Sequence, residues 1–298
     1  MPNMATPTFT YDNKAIRESL LNYLTNIDPV EDQLYVGLKK DKANAVFHQW
    51  VKDTLNPPIV NAQVEGADAS FISRVAPTRA GNYTQIIRRD VMVSGSDRAS
   101  NSVGFNDRYT YETQKALKEW RRDAELAVLR GTLASGSGST VRQMAGIKSW
   151  VTTNLTNPSG VSLSETMFND YLQNAWTQGG VVDEIYTGAR LKRRISGFSG
   201  GNVKNVDAKD KRIVNTVDWY MSDFGLVKMF MHRFMTYDND INYDLLGLQS
   251  DKWHIAHLRD PHYEEIAKTG DASKGMIIGE PTVEALAQES SFLTKNLL

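Results

Sequence analysis

The sequence predicts an α+β fold, and three observations lead there. Residues Asp107 to Arg130 place apolar side chains at helical spacing without a glycine or proline. Strand-like segments elsewhere do not alternate regularly with helices, as they would around a parallel sheet. Residues 57–103 read as extended chain and contain neither Leu nor Lys, yet carry five arginines: Arg74, Arg79, Arg88, Arg89 and Arg98. With 298 residues the chain can bury a substantial core, in one large domain or two smaller ones.

Taken in order, the first ten residues are polar and proline-containing and read as an extended arm. Ile16, Leu20, Tyr23, Leu24 and Ile27 predict a short amphipathic helix that Asp28-Pro29 ends. Val46 to Val51 predicts a strand stopped by Asn56-Pro57-Pro58. In 57–103, Tyr83, Ile87, Val91 and Val93 alternate with polar residues, Ala76 to Asn82 supplies a turn, and an extended run from Ile59 to Phe71 precedes it. Together these predict a long two-stranded finger. Such a ribbon is marginal in water by itself, so it needs a surface to lie on. In the long helix Leu117, Trp120, Ala124 and Val128 form the apolar stripe, Arg121 and Glu125 pair on the charged face, and Gly131 stands at the C-cap. Ser162-Leu163-Ser164-Glu165 opens a helix through Trp176 that Gly179-Gly180 closes. Then come a buried strand from Val181 to Tyr186, a basic helix from Ala189 to Ile195, and a polar loop from Gly197 to Arg212. A hairpin around Ser222 to Gly225 and a strand through Trp253 to Leu258 complete the reading.

Thirty-four Lys and Arg against 35 Asp and Glu leave a formal net charge of −1, which argues against a general polyanion binder. The absence of Cys excludes disulfides, thiolate metal sites and thiol nucleophiles. Composition at 41% hydrophobic and 23% charged excludes global disorder. No apolar run approaches the roughly 20 residues of a bilayer span, and no signal peptide is read at Met1 to Pro7, so a soluble product made in the cytoplasm, without a membrane partner, is expected.

Candidate chemistry is thin. Gly197-Phe198-Ser199-Gly200-Gly201 matches a nucleophile-elbow string but lacks the apolar strand before it and the helix after it. Gly131 to Gly136 has the glycine spacing of a phosphate loop, with Ser137 where the lysine belongs. His254, His257 and His262 are a possible zinc set, but positions three apart on a strand point to opposite faces. Arg190, Lys192, Arg193 and Arg194 read as a solvated or ion-paired helix face, and the adjacent Glu264-Glu265 diverge. No catalytic residue, cofactor or metal ligand is assigned, and no enzyme activity is expected.

Several local strings recur in one family: Glu31-Asp32, His48-Gln49-Trp50 with Asp53-Thr54-Leu55, and Glu65-Gly66. Asn82-Tyr83-Thr84-Gln85-Ile86, Val93-Ser94-Gly95-Ser96, and Arg142-Gln143-Met144-Ala145-Gly146-Ile147 with Trp150 and Asn154 continue the series. Ala267-Lys268-Thr269-Gly270-Asp271, followed by Glu280, closes it. In these strings and in the order of its elements the chain resembles the major capsid (major head) proteins of tailed phages, the Hong Kong 97 fold. The likeness is dense over 28–154, sparser from 262 onward and weak over 160–255.

The resemblance implies an N-terminal arm at 1–35, a lead-in to the peripheral P-domain at 36–56 and an extended E-loop at 57–103. It further implies a P-domain with a spine helix at 104–159, an axial A-domain at 160–250 and a return to the P-domain at 251–298. It implies self-assembly through hexamers and pentamers into a virion head, built in the host cytoplasm, around DNA held without sequence-specific binding. Portal and scaffolding proteins, and a decoration protein, are the further partners it implies. Arginine's planar fork suits carboxylates across an interface, so Arg74, Arg79, Arg88, Arg89 and Arg98 are the candidate intersubunit contacts. The alternative within the fold is an encapsulin-like compartment shell.

Overall fold

The computed structural model describes residues 32–69, 71, 74–100, 107–198, 219–235 and 243–298. The expected arm, the helix through Ile16 to Ile27, and Ser199 with most of the polar loop after it lie outside them. In chain order the elements are α1 (Gln33–Gly37), β1 (Lys39–Lys42), β2 (Phe47–Lys52), β3 (Thr78–Tyr83), β4 (Ile87–Ser94), α2 (Gly95–Ala99) and α3 (Arg108–Arg130). They continue with α4 (Ile147–Trp150), β5 (Leu155–Thr156), α5 (Glu165–Thr177), β6 (Glu184–Thr187), α6 (Ala189–Ile195), β7 (Trp219–Ser222) and β8 (Gly225–Met231). Last are β9 (Tyr243–Leu248), β10 (Trp253–Ile266), β11 (Ala272–Ala285) and β12 (Phe292–Leu297).

These strands make a four-stranded sheet in the order β1-β10-β11-β4, a six-stranded sheet in the order β5-β12-β9-β6-β8-β7, and a separate β2-β3 ribbon. Helix α3 covers the first sheet. Asp107 caps its N-terminus by accepting from Tyr109 N, and Gly131 ends it. Its inner face is Ala116, Trp120, Ala124 and Val128, one position round from the expected stripe, since Leu117 is exposed. Trp120 fills the gap between helix and sheet and donates its indole N–H to Ile87 O at 2.8 Å. Gly279 on β11 permits that approach, because a Cβ there would sit 2.6 Å from the Trp120 ring. A second core forms where α5 and α6 pack on the six-stranded sheet, around Phe168, Leu172, Ile185, Leu191 and Phe292. The N-cap of α5 is Ser164, whose hydroxyl accepts from Met167 N at 3.2 Å, rather than the Ser162 of the sequence pattern. Lys148 of α4, its side chain 9% exposed, reaches buried Asp244 of β9 and joins the two layers by an ion pair.

Two expectations are corrected by this packing. Glu125 does not pair with Arg121 on the charged face; it is fully buried. Its carboxylate accepts from Leu34 N at 2.9 Å, Tyr35 N at 2.6 Å and the His232 ring at 2.6 Å. The free N-terminal amides of the short α1 need acceptors once buried, and Glu125 supplies both. Arg121 turns outward to Asp32 instead, at 3.6 Å. The second correction concerns the finger. β3 pairs with β2, from Phe47↔Tyr83 to Lys52↔Thr78, and not with the run from Ile59 to Phe71. Most of the expected turn, Ala76 to Asn82, is therefore strand. β4 joins the first sheet through β11, because its buried Ile87 and Val91 find the apolar face of α3 in their own chain. Among the described residues, no strand lies between Lys52 and Thr78.

Removing the Glu125 carboxylate as Glu125→Ala leaves two buried amides and the Nε2 of His232 without the acceptor they share. We expect a loss of about 3–5 kcal/mol in unfolding free energy, read from the urea midpoint of the unassembled chain. A second expectation follows from His257, whose ring shares a 2.7 Å hydrogen bond with the Tyr35 hydroxyl. Burial, helped by nearby Lys40 and opposed by Asp260, holds this imidazole below its usual range. The unfolded chain takes up the proton near pH about 6.5 while the folded chain resists it. The stability tied to His257 is therefore complete above that pH and is lost on further acidification. Thermal midpoints between pH 7.5 and 5.5 should fall more steeply for the wild type than for His257→Gln; parallel slopes would refute this assignment.

Candidate assembly surface

Beyond the β2-β3 ribbon, the described residues between 53 and 77 have little internal support. The apolar residues there point into solvent: Leu55, Val60 and Phe71 are 96%, 96% and 97% exposed, with Ile59, Val64 and Val75 also exposed. Local bonds shape the loop only weakly, such as Thr54 N to Asp53 Oδ1 at 2.9 Å and a turn at Gly66 with φ +79° closed by Ala67 N to Val64 O. Six large apolar side chains displayed on one loop exceed what scattered surface exposure accounts for and mark a surface that another surface covers.

The base of the ribbon, by contrast, is locked. Asn82 is fully buried and its amide donates to Ala145 O and Val283 O, both at 2.9 Å, while its oxygen accepts from Ala145 N at 2.8 Å. Next to it, buried Glu280 accepts from Thr84 Oγ1 at 2.7 Å and Arg259 Nε at 3.0 Å and is ion-paired with Arg142. Arg142 Nε also donates to Thr84 O at 2.6 Å. Trp50 donates to Ala285 O at 3.0 Å and its ring lies 5.4 Å from that of Trp150. Gly81 is required inside the ribbon, since a Cβ would come within 2.8 Å of the Phe47 ring.

These contacts explain the recurring strings. Asn82 to Ile86 meets Arg142 to Ile147 and Glu280; Gly95 N donates to Asp271 O at 3.1 Å; Asn154 donates to Glu289 O and Ser291 O. Each of these strings is half of a joint whose other half lies far away in sequence, whereas Glu65-Gly66 makes only a local turn.

The five arginines separate. Arg88 pairs with Asp90 at 3.0 Å, Arg89 makes a two-point contact with Asp123 on α3 at 2.5 and 2.7 Å, and Arg98 grips Asp107 at 3.1 and 3.2 Å. Arg74 and Arg79 are exposed on the loop and ribbon, without an ion-pair partner among the described residues. The three histidines also separate. His254 faces Asp41 and Glu284, His257 faces Tyr35, and His262 Nδ1 lies 2.8 Å from Asp260 O. The basic cluster of α6 serves its own chain, with Arg194 Nε donating to Leu163 O at 2.8 Å and Arg190 over the Tyr243 ring. Gly131 to Gly136 leads into a small bridged turn, Ala134↔Gln143 and Ser137↔Thr140. Among the described residues, no helix is long and apolar enough to cross a membrane.

If the ribbon base depends on the Asn82 amide, Asn82→Leu leaves three buried backbone groups unpaired at about 1–3 kcal/mol each. Amide hydrogen exchange across residues 78–84 should accelerate at least tenfold; unchanged exchange there would rule out the lock.

Comparison with known proteins places this geometry. The model of the SU10 major capsid protein family matches residues 3–298. The major capsid protein of Escherichia phage Phieco32 is 27% identical over an alignment of 195 residues that covers 62% of this chain and 53% of that relative, so the match spans about half the relative's length. The capsid of Myoviridae phage XM1 superposes with a TM-score of 0.65 at 8% identity, over 94% of this chain and 97% of the other. The holo-SrpI encapsulin complex of Synechococcus elongatus gives 0.60 at 10% identity, over 99% and 96%. At such identities the likeness to the solved structures is one of fold, the Hong Kong 97 fold. A match over nearly the whole chain shows more: the chain belongs to the SU10 major capsid protein family.

Proposed function

We propose that the chain is the shell subunit of a tailed-phage head, assembling through hexamers and pentamers into an icosahedral container for packaged double-stranded DNA. One observation carries the proposal. A loop bearing Leu55, Val60 and Phe71 in full solvent exposure stands on a base locked by Asn82 and Glu280. A firmly aimed apolar loop without cover among the described residues is completed by a neighbouring copy, and head-to-tail contacts of that kind close into rings.

In this reading the extended loop comprises the ribbon and its tip, residues 47–83, narrower at its C-terminal end than 57–103, since β4 serves the sheet under α3. The arm occupies 1–35, the spine-helix domain 104–159, the axial domain 160–250 and the returning strands 251–298. Arg74 and Arg79 are the arginines free to meet a neighbour's carboxylates; Arg88, Arg89 and Arg98 chiefly hold the chain together. Portal and scaffolding proteins, and a decoration protein, complete the head, which is assembled in the host cytoplasm. The near-neutral charge suits a wall that encloses DNA without gripping it. The role is structural, with no catalysis assigned.

A compartment shell of the encapsulin kind is the second reading, favoured by the shared fold. Particles purified from infected or expressing cells separate the two by their ultraviolet absorbance, which a packaged genome dominates.

Replacing Leu55, Val60 and Phe71 together with Ser should leave the circular dichroism and thermal midpoint of the unassembled chain unchanged. Closed shells in negative-stain images should fall at least tenfold. Shells at normal yield would sink the role assigned to the loop.

A further inference from the structure

A second set of polar groups gathers where the ribbon, the edge strand β1 and the centre of the first sheet meet. His254 on β10 lies directly across from Glu284 on β11, and β1 runs along the other side of β10 with Lys39 opposite His254. Asp41, two residues along β1, shares the face of Lys39. The Nδ1 of His254 lies 2.6 Å from Asp41 Oδ2 and 3.6 Å from Glu284 Oε2. All three donor atoms fall within 4.8 Å of one another. The other oxygen of Glu284 accepts a hydrogen bond from His48 Nε2 on β2 at 2.5 Å.

Two features set this cluster apart from an ordinary surface ion pair. His254 and Glu284 are buried, at 8% and 6% exposure, while the Asp41 side chain is 38% exposed and leaves a way in from solvent. Among the described residues, the ion pairs of Asp41 and Glu284 are made only with imidazoles. Two carboxylates thus converge on one ring nitrogen without a lysine or arginine ion-paired to either, and leaving the buried one, Glu284, without a cation is unfavourable.

We propose that Asp41, His254 and Glu284 hold a divalent transition-metal ion of the zinc class, with His48 orienting Glu284. Zinc takes one nitrogen and two carboxylate oxygens at about 2.0–2.2 Å, which sets donor atoms about 3.3 Å apart in a tetrahedral site. The 3.6 Å pair already stands close to that spacing, and a rotation of the exposed Asp41 opens the 2.6 Å pair. The imidazole binds as the neutral ring with its proton on Nε2, so that the lone pair of Nδ1 faces the ion. Water takes the fourth position on the Asp41 side. His48 supplies the hydrogen bond to the ligand carboxylate that commonly fixes such a group. The ion would pin β1 to the sheet and, through His48, pin the ribbon as well. This inference concerns the isolated subunit and does not rest on shell assembly.

The test uses the untagged full chain, stripped with chelator and titrated with zinc chloride by calorimetry. One ion per chain is expected, with a thermal midpoint raised by at least ~3 °C and restored by chelator. Asp41→Asn, at the partly exposed ligand, should weaken binding at least tenfold while leaving the far-ultraviolet circular dichroism of the metal-free chain unchanged. His48→Gln should weaken it by about 10–100-fold, and His254→Ala should abolish it. Wild-type chain that takes up no stoichiometric zinc overturns the proposal, as does wild-type affinity in Asp41→Asn.

Discussion

The ribbon formed by β2 and β3 is too small to hold its own direction in space, and the structure solves this at its base. Two strands alone bury too little to fix an orientation. A fully buried amide, Asn82, is spliced into the backbone of two other segments, and a buried carboxylate, Glu280, collects two arginines and a threonine beside it. Buried polar groups are unforgiving of misplacement, since a displaced partner leaves an unpaired donor or acceptor in a poor dielectric. That makes the joint directional in a way that apolar packing by itself is not.

The same device recurs under the long helix. Glu125 gives α1 the acceptors its buried amides need, and a histidine from the stretch after β8 closes the third side. Around these polar points the apolar core does the bulk of the work, with Trp120 and Trp253 filling the space between helix and sheet. The body is thus held firmly where the ribbon leaves it, and the apolar loop at the far end is left uncovered by the described residues. Rigidity at one end and exposure at the other suit a subunit whose packing is completed by its neighbours.

Much of this was legible from local pattern. The α3 helix has its cap, its stop and its period in the sequence, and α6 lies at the expected Ala189 to Ile195. The hairpin of β7 and β8 turns where Ser222 to Gly225 predicts. The ribbon was misread because alternation identifies a strand but not its partner. Residues 87–94 alternate well, and only the presence of an apolar helix face nearby determines that they join a sheet. Strand β3 was hidden by its composition: Thr78 to Tyr83 contains Gly and Asn, residues typical of turns. Gly81 is there for the Phe47 ring and Asn82 for distant carbonyls, reasons that lie outside the segment. Glu125 was misplaced on the same grounds, since a carboxylate four residues after an arginine reads as a surface pair.

The sequence by itself determined the α+β class, the long helix, the absence of thiol chemistry and, through its scattered strings, the family resemblance. It could do so because periodicity, capping and composition act over a few residues. Only the tertiary structure decided which strand pairs with which, which arginines are used internally, and that Asp41, His48, His254 and Glu284 come together. The last of these joins groups more than 200 positions apart, and neither spacing nor composition within any one segment encodes such a meeting.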